Sequence, residues 1–433
     1  MTTISDWTDR LLLFGGLSRD GILPSLARVS AELAQPHPKR LWQAKAQARR
    51  LIELAEAEGL CGDLWQLYLA RLILTEENAW SLSAERGGES STVDRLAQAD
   101  FEALYGLFHY DFADDPALLD AIGPDTLALL RDYAPAQPGG SSAARIGALA
   151  DELARAADAP AFQAAARAFV ARSGAGIYGL HRAFRVAEGP GGPSLTPVAE
   201  DPVTLDSLVG YERQKAALLA NTSAFVAGRP CNHMLLYGDA GTGKSTSVRA
   251  LLTRFGDSGL RLVELYKHQM HLLTPVIAAL RTRAQRFIIL IDDLSFEEDE
   301  VGYKYLKAVI EGGAERRPAN ILLCATSNRR HLVRETWSDR DDMEHDGDIH
   351  RSDTMQEKLS LAGRFGCLIS FARPDRALWR EMILTLADRA PGLSLSEDAL
   401  LAAASRYELR HGGVSGRTAS QFINEIAGGD AGT

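Results

Sequence analysis

Between Met234 and Leu252 the chain runs directly from an apolar stretch through a glycine-rich turn into a helical pattern, and few folds accommodate that order. The turn, Gly238-Asp-Ala-Gly-Thr-Gly-Lys-Ser245, has the spacing G-x-x-x-x-G-K-[ST] of a P-loop. Its glycines let the backbone curl until successive N–H groups converge, and the helix behind them adds the positive end of its dipole at the same point. Met234 to Tyr237 supplies the strand ahead of the turn. Thr246, Val248, Leu251 and Leu252 supply the apolar side of the helix. The geometry suits phosphate oxygens: the backbone of Gly238, Asp239, Ala240, Gly241, Thr242, Gly243 and Thr246 forms the cradle. Lys244 reaches the β- and γ-phosphates, and the Ser245 hydroxyl ligates Mg²⁺. A string of this kind arises by chance in on the order of one in a hundred chains of this length, before its flanks are required. Only eight of the 47 basic residues are lysines, so Lys244 inside a glycine loop is a rarer event than any one arginine.

A second apolar run, Phe287-Ile-Ile-Leu-Ile, ends in Asp292-Asp293. A buried strand that delivers a carboxylate beside bound phosphates meets the second requirement of a P-loop site. Asp292 takes the metal side, and Asp293 is placed to orient or deprotonate an attacking water. In isolation the run would read as a core strand followed by a solvated acidic turn; the P-loop upstream decides between the two.

The rest of the chain falls into regions of different pattern. Leu41 to about Arg185 is rich in Ala, Leu, Arg and Glu with apolar residues three and four apart, which predicts an all-α amino-terminal region over residues 1–187. Turn formers interrupt it at Gly62-Asp63, Gly87-Gly88, Asp115-Pro116 and Gln137-Pro138-Gly139. The glycine- and proline-rich run from Glu188 to Pro197 predicts a linker over 188–200. Beyond it, strand candidates at Met234 to Tyr237, Arg261 to Leu265, Phe287 to Ile291 and Ile321 to Ala325 alternate with helical stretches. Alternation of this kind predicts an α/β subdomain over 201–373, a parallel sheet covered on both faces. From Asp375 the pattern is helical again and predicts a lid over 374–433 in three segments, Arg376 to Arg389, Ser396 to Tyr407 and Ser415 to Ile426.

Composition narrows the partners. Hydrophobic residues make up 46% and charged residues 24%, and no apolar run reaches the roughly 18 residues of a membrane span, so no membrane association is expected. Met1 to Arg10 lacks the basic start and apolar stretch of an export signal. Cys61, Cys231, Cys324 and Cys367 have neither metal-ligand nor redox spacing, which suits reduced thiols in the cytoplasm. The net charge of −10 argues against a general electrostatic footprint for nucleic acid, which leaves that partner not favoured. The acidic stretch Trp337 to Asp348, with His345 and His350, reads as a solvated loop rather than a metal site.

Leu208-Val-Gly-Tyr-Glu212, Asp292-Asp-Leu-Ser-Phe296, Ala325-Thr-Ser-Asn-Arg-Arg-His-Leu332, Glu357-Lys-Leu-Ser-Leu361 with Arg364-Phe-Gly366, and Ser415-Gly-Arg-Thr418 carry a closer resemblance. With the P-loop, they make the segment from about Asp201 to Ile426 similar to AAA+ ATPases, and in detail to a bacterial family of AAA+ ATP-binding proteins catalogued as a domain of unknown function. Tyr178-Gly179 and Ala183-Phe184 extend it weakly into the first half. The resemblance implies ATP and Mg²⁺ as ligands and a homo-oligomer acting on a protein client. It implies that Asn328 is a sensor between the second carboxylate and the γ-phosphate, and that Arg364 is an arginine finger reaching a neighbouring subunit's nucleotide. Arg417 matches the lid sensor, and Val209 and Tyr211 match the adenine pocket. Arg329-Arg330-His331 would lie near the subunit boundary. Two departures matter. Asp293 stands where many relatives carry glutamate, one methylene longer, and the stretch between Leu265 and Phe287 lacks the aromatic-aliphatic-glycine loop of polypeptide-threading rings. The readings that follow are an ATP-hydrolysing switch, a scaffold with little turnover, and a nucleic-acid-associated loader.

Overall fold

The computed structural model describes residues 2–18, 20–32, 38–87, 92–189, 191–295, 302–311, 318–328, 361–390, 393 and 395–428. The chain divides into two compact units, Met1–His181 and Arg182–Thr433. Among the described residues, no helix is long and apolar enough to cross a membrane.

The first unit is built of helices, and several of its breaks fall where a short polar residue caps the next helix. Asp63 accepts from Trp65 N and Gln66 N and starts Leu64–Thr75. Asn78 and Ser81 exchange capping hydrogen bonds at the start of Ala79–Glu85, which makes it a helix separate from Leu64–Thr75. Asp158 caps Ala159–Ser173 and separates it from Ser141–Ala154. Each cap satisfies N–H groups that a helix start otherwise leaves unpaired. Around these helices Phe14, Trp80, Phe101, Phe108 and Phe162 are fully buried, with the Trp80 and Phe101 ring centroids 4.5 Å apart. The entry of Phe14 into this core depends on Asp100, a buried carboxylate. Its Oδ2 accepts from the backbone N–H groups of Leu12, Leu13 and Phe14 at 3.0, 2.8 and 2.9 Å.

The second unit is built on seven strands: β1 Ala183–Gly189, β2 Gly192–Pro197, β3 Met234–Gly238, β4 Leu260–Leu265, β5 Arg286–Ile291, β6 Ile321–Ser327 and β7 Cys367–Phe371. Their spatial order is β2-β1-β4-β5-β6-β3-β7, parallel throughout except for the β1–β2 pair. All seven residues of β6, and β5 beyond Arg286, are buried, the burial expected of central strands covered on both faces. Helix Glu212–Val226 lies against β7 and the P-loop helix Lys244–Phe255, which in turn contacts β4 and β6. Helices Arg376–Asp388, Glu397–Arg410 and Gly416–Gly428 close around a separate core of Trp379, Met382, Ile383, Leu400, Ala404, Phe422 and Ile423. The α/β class with a helical lid and a preceding all-α region is therefore the one observed.

The run read as a linker over 188–200 is not one, and with it the helical region does not extend to residue 187. β1 and β2 pair as antiparallel strands, with Val186 opposite Leu195 and Gly189 opposite Gly192, and the units divide after His181. Glycine and proline misled because β2 is the sheet's edge. Pro193 and Pro197 lack an N–H, and an edge strand has a free side where none is needed. Gly192, the first residue of β2, has φ +111°, a conformation that favours glycine. β7 also went unread, since the short Cys367–Phe371 run alternates buried and exposed residues instead of forming an apolar block.

Asp100→Ala should destabilise the helical unit by about 3 kcal/mol, because three N–H groups, that of Phe14 buried, lose a charged acceptor at once. Denaturant unfolding followed by tryptophan fluorescence checks this; a midpoint equal to the parent's would show that Asp100 does not hold Phe14 in place.

Candidate nucleotide site

The loop leaving β3 takes a path open to few sequences. Gly238, Gly241 and Gly243 all have positive φ, at +131°, +74° and +89°. At Gly238 there is no room for a side chain: a Cβ would stand 2.1 Å from the carbonyl oxygen of Phe371 on β7. The loop is pinned on both sides. Asp239 N–H donates to Phe371 O at 3.0 Å, and the Asp239 carboxylate accepts from Arg373 N at 2.8 Å. On the lid side, Arg417 N–H donates to Gly241 O at 3.1 Å, which sets the start of the last lid helix directly on the loop.

Lys244, 7% exposed, donates from Nζ to the carbonyls of Gly238 and Asp239 at 3.0 and 2.6 Å and to Asn328 Oδ1 at 3.0 Å. Burial lowers its pKa from the ordinary lysine range, and the carboxylates of Asp239, Asp293 and Asp292 oppose that shift. Asn328 also donates from Nδ2 to Asp293 Oδ1 at 2.8 Å, so one amide joins the lysine to the second carboxylate. Asp293 is held in a left-handed conformation at φ +52°, which an aspartate tolerates better than most residues. Its N–H donates to Thr326 Oγ1 at 3.0 Å. Thr326 Oγ1 donates in turn to Asp292 Oδ1, and Ser245 Oγ donates to the same oxygen at 2.5 Å. A serine hydroxyl and a carboxylate meeting in this way are hard oxygen donors of the kind Mg²⁺ takes, so the residues present fit that ion.

These groups line one cavity of about 650 Å³. Ala240 to Thr246 form its floor, Asp292, Asp293, Thr326 and Asn328 one wall, and Met382, Leu386 and Arg417 of the lid helices its cover. Val209 and Tyr211 line the apolar end. Tyr211, at φ +62°, is fixed by a hydrogen bond from its hydroxyl to Ala372 O at 2.9 Å and by its ring against Phe371. Burial, with a smaller contribution from Asp239, pushes its pKa up to about 12.

Of the described residues singled out from the sequence as site residues, Val209, Tyr211, Ala240 to Thr246, Asp292, Asp293, Asn328 and Arg417 line this cavity; Gly238 and Asp239 lie at the start of the loop behind it, and Arg364, exposed on the turn before β7, does not line it. Arg329, Arg330, His331, Phe296, residues 337–350 and residues 357–360 lie outside the described residues. Thr326 and Arg249 were missed. Thr326 stands two residues before Asn328, the strand period, and Arg249 stands four after Ser245, the helix period, so both spacings were available.

The family described as "Protein of unknown function (DUF815)" matches residues 180–430, more than half of the chain. A search of curated proteins returns no match. Among solved structures, Thermotoga maritima RuvB, described as a Holliday junction branch migration motor, is 16% identical with a TM-score of 0.36, covering 52% of this chain and 64% of that one. An alanine-to-serine mutant of the same protein is 17% identical, with the same coverage and TM-score. The chain therefore spans less than two thirds of the length of these structures.

Gly238→Ala should cost the second unit about 3 kcal/mol, a backbone clash joined to an unfavourable φ; a thermal midpoint unchanged from the parent would refute the close approach to Phe371. Tyr211 gives a pH-dependent counterpart. Its folded pKa is raised, so below pH 10 it is neutral in both states and costs nothing, whereas from pH 10 to about 12 the unfolded chain releases the proton more readily. Stability should fall with rising pH across that window, and less steeply in Tyr211→Phe.

Proposed function

Because the chain belongs to the DUF815 family, we propose that it is an AAA+ ATPase that binds ATP with Mg²⁺ and hydrolyses it at subunit interfaces to switch the conformation of a protein partner. The observation that carries this is the joint placement of Lys244, Ser245, Asp292, Asp293 and Asn328 in one cavity beneath Arg417. In this reading residues 201–373 hold the phosphates and residues 374–433 form the lid. The converging loop N–H groups and Lys244 bind the β- and γ-phosphates; Val209, Tyr211, Met382 and Leu386 take the adenine. Ser245 and Asp292 would hold Mg²⁺, which supplies charge neutralisation on the phosphates when bound. Asp293, oriented by Asn328, accepts the proton of the attacking water. Arg417 registers the γ-phosphate and passes its loss to the lid. Arg364, outside its own cavity, reaches the nucleotide of a neighbouring copy.

A second reading, an ATP-dependent scaffold with little turnover, is favoured by the short Asp293 side chain and its bond to Asn328. Steady-state phosphate release separates the two. A nucleic-acid loader is disfavoured by the net charge of −10.

Lys244→Ala should abolish ATP binding in calorimetry, and parental affinity in that variant would refute the site. Arg364→Ala should bind ATP and lose turnover by about 10³- to 10⁵-fold, the range known for arginine fingers. Asp293→Asn should behave alike for a different reason, so mixing the two inactive variants creates interfaces with both groups intact and returns partial activity. Undiminished turnover in Arg364→Ala, or a fully active monomer, would sink the shared site.

A further inference from the structure

Asp292 presents its two oxygens to different neighbours. Oδ1 takes the hydroxyls of Ser245 and Thr326, whereas Oδ2 faces Arg249, whose Nη2 lies 3.7 Å away. That separation is beyond a hydrogen bond, so the attraction is one of charge across a gap. Arg249 is kept from closing the gap by its other end. Its Nε donates to Glu264 Oε1 on β4 at 2.9 Å, and Arg185 of β1 holds the second oxygen of Glu264 at 3.7 Å. Glu264 is 17% exposed and Arg249 33%, so the pair is partly shielded and more than a solvated surface contact. A guanidinium keeps its charge at any working pH. Arg249 therefore stands as a permanent cation beside the one carboxylate oxygen not already taken by hydroxyls, and it lines the same cavity.

We propose that Arg249 is a positioning residue that competes with the divalent cation for Asp292, and that Glu264 sets how strongly it competes by holding it at a distance. The proposal rests on reading the cavity as a Mg²⁺-nucleotide site. Without the cation, Arg249 keeps Asp292 from swinging toward Lys244 and preserves the site's shape. On loading, the cation must outbid that attraction, so the Mg²⁺ requirement of nucleotide binding is written into the Arg249–Glu264 pair. The two ends of the pair act in opposite senses. Removing Arg249 removes the competitor, whereas neutralising Glu264 frees Arg249 to close on Asp292 as a direct ion pair.

The test is binding of a fluorescent ATP analogue to the full chain, titrated with MgCl₂ and referred to binding in EDTA. In Arg249→Gln the half-saturating Mg²⁺ concentration should fall by about two- to tenfold, and in Glu264→Gln it should rise by a similar factor. Arg249→Lys keeps the charge and should stay nearer the parent than Arg249→Gln. Affinity in EDTA should remain within about twofold of the parent in all three. Shifts in the same direction, or a lowered melting temperature with the Mg²⁺ requirement unmoved, would reduce Arg249 to a staple between the P-loop helix and β4 and overturn the proposal. Loss of affinity in EDTA by Arg249→Gln would make it a direct phosphate ligand and also overturn it. A parent that binds no nucleotide refutes the proposed function as a whole, whereas a parent that binds beside unresponsive variants refutes only this inference.

Discussion

Everything in the second unit is arranged around the contact between Gly238 and the Phe371 carbonyl. With no Cβ, the backbone passes so close to β7 that a methyl group would be 2.1 Å from that oxygen. The same carbonyl accepts the Asp239 N–H, so the strand that leaves no room also fixes the direction in which the loop departs. From there Gly241 and Gly243 turn the chain into the helix that begins with Lys244, and the lid meets the loop at Gly241. Movement of β7 or of the lid must therefore be felt by this glycine-rich loop, because both bond to it through backbone atoms that no side-chain rotation can relax.

Lys244 and Asn328 extend that constraint across the sheet. β3 and β6 are neighbours, in register from Met234 opposite Cys324 to Tyr237 opposite Ser327. Parallel pairing brings their carboxyl ends to the same edge, where the loop after β3, Asn328 after β6 and Asp292 after β5 all emerge. The lysine's contacts with two carbonyls and one amide keep a buried ammonium solvated by oxygen, although its burial disfavours the charge. Those oxygens hold the ammonium at the spot where, under the proposed function, phosphate oxygens take their place.

Much of this was legible in the sequence because it depends on local chemistry. Glycine spacing and an apolar run ending in two carboxylates each show within a few residues, and they singled out Lys244, Ser245, Asp292 and Asp293, whereas Asn328 was singled out through the family resemblance; the structure places all five on one cavity. What was missed depends on position in the sheet. Pro193 and Pro197 argue for a linker until β2 is known to be an edge, and Cys367–Phe371 has too few buried residues to announce a strand. Thr326 and Arg249 carry no motif of their own. Each matters through what faces it from another element, Asp293 N and Asp292 for the threonine and Glu264 and Asp292 for the arginine.

Under the proposed function an acidic chain must hold a polyanion, and the cavity's own charges do not suffice for that. Lys244, Arg249 and Arg417 line it against Asp292 and Asp293, a small excess of positive charge in a protein of net charge −10. Asp239 does not line the cavity, and its carboxylate accepts the Arg373 N–H. That excess is too small to offset a triphosphate, and the converging N–H groups at a helix start add only partial charge. Under the proposed function, a divalent cation beside Asp292 restores the balance, which would make ligand and metal mutually dependent. The protein's own cations are placed to leave that gap: Arg249 is tied to Glu264, and the backbone of Arg417 is committed to Gly241. On that reading neither takes the ion's place without breaking those bonds, so the site would discriminate between nucleotide alone and nucleotide with its metal before any bond of the nucleotide is broken.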